Sequence, residues 1–175
     1  MDATAFIQSF LINVYGSLDN LAHIWCHEKD LRNSKGNFLD PKFVGLGSKN
    51  KLVRSSLPSS VRSYLEKCEK WLKYLEDYRH SLAHRIPLYI PPYRLSPKNE
   101  VLYRNLDTQR IIAMSQKQWQ IADEIMDQMD GIGVFEPYIM HSFGERAKPI
   151  VFHSQLICDL ATIIEIGEKI MRSLK

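Results

Sequence analysis

The stretch VRSYLEKCEKWLKYLEDYRHSLAHRIP, running from Val61 to Pro87, decides how this chain folds. Val61, Leu65, Cys68, Leu72, Leu75, Leu82 and Ile86 recur, with one gap, at the four-and-three spacing of a buried helical seam. Pro58-Ser59-Ser60 reads as the start of this helix. Pro87, which lacks an amide hydrogen and clashes with the preceding turn, ends it near Arg85. The gap between Leu75 and Leu82 is filled by Arg79. A guanidinium cannot shed its charge, so an inward Arg79 predicts a carboxylate, a phosphate or water at its head. His84 follows in the last turn and brings a side chain whose ordinary pKa lies near neutrality.

Outward from this helix the chain also reads as mainly helical. Ile7, Leu11, Val14, Leu18, Leu21 and Trp25, widened by Phe6 and Phe10, predict a long amphipathic helix over 3–29. Residues 30–57 shift to Asn, Ser, Lys and Gly and predict a long connection with room for one short helix. Beyond Pro87, the prolines up to Pro92 impose an extended run; Val101-Leu102-Tyr103 and Arg110 to Met114 then predict short strands, with helix as the alternative. Ser115 and Gln118 form a capping-box pattern before a helix that buries Trp119, Ala122, Ile125, Met126 and Met129. Tyr138 to Phe143 and Ile150 to His153 predict a small hairpin. The last helix runs from about Ser154 to Leu174, with Leu156, Leu160, Ile163, Gly167, Ile170 and Leu174 as its seam. The expectation is a mainly all-α bundle of three to five helices with a small β-hairpin insertion, forming a single domain over 1–175.

With 45% apolar and 25% charged residues, the chain has the profile of a globular domain and not of a disordered or fibrous one. The net charge of +3 is small, but between residues 79 and 104 Arg79, Arg85, Arg94, Lys98 and Arg104 stand against Glu100 alone, which predicts a local basic patch. Cys26, Cys68 and Cys158 are scattered through helical segments and read as reduced thiols of a cytoplasmic protein, not as a disulfide or metal framework. Met1-Asp2-Ala3-Thr4 has no basic run, and Asn13 and Gly16 interrupt the apolar stretch behind it, so neither a signal peptide nor a membrane-spanning helix is expected.

An arginine, a polar residue directly after it and a histidine at a helix end, here Arg79, His80 and His84, resemble the active-site motif of the HEPN superfamily. The arrangement of long helices is similar as well. The resemblance implies a HEPN-like helical bundle and a metal-independent endoribonuclease without a cofactor. It further implies a homodimer whose motif helices face one another, as in toxins and defence or stress effectors. It makes Arg79 and His84 catalytic with His80 assisting, RNA the substrate, and an antitoxin or other protein the further partner. In some such toxins a partner nucleotidyltransferase modifies a tyrosine two residues past the histidine; here that residue is Ile86.

The residue types suit this chemistry without appeal to a family. His84 can take the proton of a 2′-hydroxyl or give one to a leaving 5′-oxygen. Arg79 offers fixed, bidentate positive charge to phosphate oxygens as charge builds on them. His80, one turn before His84, shares its face. On one straight helix Arg79 and His84 point about 140° apart, so a two-fold partner is needed to bring complementary copies together.

Other readings arise from the same residues. Arg79 is also readable as a core arginine held by Asp19, Glu76 or Asp159, with His84 capping its helix. The module would then bind RNA, a nucleotide or a protein partner without catalysis. Asp19 and His23, one turn apart, either orient Arg79 or form a solvent-side pair. Arg85, Arg94, Tyr89 and Tyr93 make a candidate RNA-binding strip in which the tyrosines either stack bases or seal a core edge. His23 and His27 lack a third ligand, and Gly131-Ile132-Gly133 follows a helix and not a strand, so neither a metal nor a dinucleotide site is expected.

Overall fold

A computed structural model describes residues 3–84, 88–141 and 148–174; the side chain of His84 also lies outside what is described. Among these residues the chain is mainly α, with seven α-helices and one two-stranded antiparallel pair. It divides into two compact units, one formed by the residues up to Tyr89 with those from Ile139 onward, the other by Ile90–Tyr138. No helix among the described residues is long and apolar enough to cross a membrane.

In the first unit, α1 (Ala3–Glu28) buries Ile7, Leu11, Val14, Leu18 and Trp25 as the spacing predicts, with Ala22 inward in place of Leu21 and Phe6 exposed. The connection that follows holds a 3-10 turn at Pro41–Phe43 and α2 (Lys51–Ser56). The predicted second helix is present as α3 (Ser59–Lys67) and α4 (Glu69–His84). Cys68 interrupts it only slightly: its amide donates to the Tyr64 carbonyl at 3.1 Å, and its carbonyl accepts from the Leu72 amide at 2.9 Å. Helix α4 packs on α1, and α7 (Phe152–Leu174) packs on α1 and α3. Trp25, Val53, Leu65, Leu75, Tyr78, Ile166 and Ile170 fill the core between them. Strands β1 (Tyr138–Ile139) and β2 (Ile150–Val151) realise the predicted hairpin as a shorter pair; Phe143 lies outside the described residues.

Two seams are rotated from their expected positions. On α4 the inward residue after Leu75 is Tyr78, 1% exposed, followed by Ser81, and Arg79 is turned outward. A phenol ring buries more apolar surface than an arginine head and leaves no charge to desolvate, so the helix turns Tyr78 inward. On α7 the inward face carries Asp159, Ile166 and Ile170, while Ile157, Leu160, Ile164 and Met171 are exposed.

In the second unit, the predicted strands at Val101–Tyr103 and Arg110–Met114 are replaced by one helix, α5 (Pro97–Ser115). Ser96 caps it by accepting from the Asn99 amide at 3.3 Å, and Pro97 opens it with its fixed φ. Helix α6 (Trp119–Asp130) packs on α5 and buries Ala122, Ile125 and Met129, whereas Trp119 and Met126 are exposed. Ser115 does not cap α6: it ends α5. The Gln118 amide donates to Ala113 (2.9 Å) and the Lys117 amide to Met114 (3.0 Å), a Schellman closure in which Lys117 takes φ +58°.

Candidate functional site

Helix α4 separates two clusters of polar side chains in the first unit. On its outer side, the Arg79 guanidinium lies over the Tyr15 ring, 4.8 Å from its centroid. Tyr15 and Asp19 are one turn apart on α1, so packing α1 on α4 brings both to Arg79. Together with Lys49, Lys73 and Glu76 they line a cavity of about 430 Å³. Its far wall is the 44–50 loop, tied down by Asn50 Nδ2 donating to the Phe43 carbonyl (2.9 Å) and by Arg54 donating to the Leu46 carbonyl (2.8 Å). A methyl group on Gly45 would come within 2.8 Å of the Asn50 side-chain oxygen, which is why the loop carries glycine there.

The charges in this cavity are unequally matched. Glu76 is ion-paired with Lys49, a contact that holds its carboxyl below the usual range, and the His80 ring nitrogen lies 3.7 Å from the same carboxylate. Lys73 pairs with Asp77 at 2.9 Å. Burial pushes the Asp19 carboxyl up, against the opposing pull of Arg79, His23 and Lys49. Among the described residues no carboxylate lies within ion-pair distance of Arg79, and Asp19 accepts no hydrogen bond from a described donor.

On the inner side of α4, Asp159 is fully buried. One carboxylate oxygen accepts from Trp71 Nε1 and from Gln155 Nε2, both at 2.7 Å; the other has no hydrogen-bond partner, and burial raises this carboxyl above its ordinary value. Tyr74 and Tyr78 meet edge to face at 4.3 Å. Their hydroxyls act on one another electrostatically, and burial pushes the Tyr78 phenol up to about 12. The His141 ring packs on Tyr78, and its Nδ1 shares a 3.0 Å hydrogen bond with Ser81 Oγ.

The structure therefore gathers some of the expected site residues and separates others. Arg79 and Asp19 share the cavity, and His23 acts on Asp19 from one turn away. Asp159, expected as a support of Arg79, bonds Trp71 and Gln155 on the opposite side of α4. His80 lies on the exposed side of α4; His84 is its last helical residue, and Arg85 lies outside the described residues. Tyr89 pairs through its backbone with Met140. In the second unit, the Tyr93 hydroxyl is bonded to that of Tyr103 and its ring sits against Gly133, while Arg94 is paired with Glu136 at 3.0 Å. The sequence reading missed Tyr15, Lys49 and His141; only Tyr15 had a local signal, four residues before Asp19 on the same helix face.

Among the described residues no group of three or more His, Cys, Asp or Glu side chains is placed to hold a metal ion. Comparison with family models, curated proteins and solved structures finds no match to this chain.

Proposed function

We propose that this chain is a metal-independent endoribonuclease of HEPN type that acts as a homodimer, in the manner of a toxin or a defence or stress effector. The observation that carries the reading is the placement of Arg79: exposed, lying over the Tyr15 ring, and not ion-paired to any described carboxylate. An arginine serving the core would be neutralised there; this one keeps its charge for a phosphate.

In the reaction the 2′-oxygen attacks phosphorus, the bond from phosphorus to the 5′-oxygen breaks, and a 2′,3′-cyclic phosphate remains. An imidazole takes the 2′-hydroxyl proton and an imidazolium supplies one to the leaving 5′-oxygen; His84 serves this exchange with His80 one turn before it. Arg79 meets the non-bridging oxygens as negative charge develops on them. Because positions 79 and 84 are offset by about 140° around an ideal helix, the arginine of one subunit serves the histidines of the other. The test is incubation of mixed RNA with the purified chain in EDTA, wild type beside His84→Ala. Cleavage to 2′,3′-cyclic phosphate ends that disappears in the variant is the expected result. RNA binding without cleavage would replace the enzyme with a non-catalytic binding module.

A further inference from the structure

Arg79 belongs both to the motif and to a cavity whose other residues the ribonuclease reading leaves unused. At about 430 Å³ the cavity falls among sites that enclose small molecules, which span about 300–1,000 Å³. Its acids are not equivalent. Glu76 is taken by Lys49, and Glu69 lies 3.3 Å from Arg54. Asp19, half-buried, receives no hydrogen bond from any described donor. An ionised carboxylate is an acceptor only, so it selects a ligand that brings adjacent N–H donors.

Among the RNA bases only guanine has two such donors side by side, N1–H and the 2-amino group. Adenine and cytosine place an acceptor next to their amino group, and uracil flanks its N–H with two carbonyls. We propose that this cavity is the base-reading subsite of the ribonuclease: Arg79 holds the phosphate, and a guanine next to the scissile linkage donates from its Watson–Crick edge to Asp19. This rests on the ribonuclease reading for the role of Arg79, but base selection belongs to Asp19 and is measured separately.

The experiment uses short RNAs with a single cleavable linkage, flanked by guanosine, inosine or adenosine, and compares kcat/KM for wild type and Asp19→Asn. Guanosine should be preferred over adenosine on the order of tenfold, with inosine, which lacks the 2-amino group, in between. In Asp19→Asn, which sets a donor beside the acceptor, the ratio should fall towards one. Calorimetry with guanosine 3′-monophosphate against adenosine 3′-monophosphate checks the same selection without catalysis. Cleavage indifferent to the base, or an undiminished ratio in Asp19→Asn, overturns the subsite and leaves the ribonuclease standing. Selective binding of the guanosine nucleotide without cleavage supports the subsite and removes the ribonuclease. Neither cleavage nor selective binding overturns both.

Discussion

Replacing Asp159 by Asn should make this protein more stable at neutral pH, although the residue is fully buried and doubly hydrogen-bonded. Asn keeps an oxygen for the Trp71 and Gln155 donors and removes the buried negative charge that the partnerless second oxygen shares and that acts on the Tyr74 and Tyr78 phenols. An unsatisfied buried polar atom costs about 1–3 kcal/mol, and more when charged. The expected gain at pH 7 is therefore about 1–2 kcal/mol, or about 2–8 °C in Tm for a chain of this size. The pH dependence has a definite sign. Burial raises the folded-state carboxyl above its ordinary value of 3.8, so the folded state binds the proton more tightly than the unfolded chain. Wild type then loses stability as pH rises from 3.8 through the raised folded value. The advantage of Asn should shrink as pH falls through that window and be absent below it. Asp159→Ala, which strands the Trp71 donor, should instead lose about 2 kcal/mol. Thermal unfolding between pH 3 and pH 8 measures all three proteins on a scale set by the aspartate reference value of 3.8. A destabilised Asn variant at pH 7, or an advantage that does not change with pH, would refute the reasoning.

Other expectations follow from single contacts. Arg79→Ala should lower kcat on RNA on the order of 10²-fold yet cost only about 0.5–1 kcal/mol of stability, the worth of its stacking on Tyr15, so kinetics and calorimetry on one preparation separate the two effects. Lys117→Gly, at φ +58°, should stabilise the protein by about 1 kcal/mol in denaturant titration, since only glycine takes that backbone freely. Gly133→Ala would put a methyl 2.6 Å from the Tyr93 ring and should cost about 1–3 kcal/mol in the same titration. Light scattering at micromolar concentration should give twice the chain mass; a strict monomer would leave His84 without an opposing Arg79 and remove the proposed catalysis.

The long helices were legible because their apolar residues repeat at the helical period, and α1 keeps nearly every predicted inward position. Helix α5 was not: Ala113 is its one buried residue among those described, so it has no stripe to read, and Ser96-Pro97 is its only start signal. The turn into α6 leaves no clear mark in the sequence because Lys117 holds the place where glycine usually marks a helix end.

The order Arg79, His80, His84 at the end of one helix is local, and the sequence determined it alone. It could not determine which way Arg79 faces, because Tyr78 and Arg79 are neighbours and a rotation of α4 by one residue exchanges them. Burial energy decides that choice, and it exists only once α1 and α7 are packed in place. The same packing puts Tyr15, Asp19, Lys49 and Glu76 around Arg79 and sends Asp159 to the other side of the helix. Contacts between residues so far apart along the chain leave no periodic trace in it, so the motif is a property of the sequence and the cavity a property of the tertiary structure.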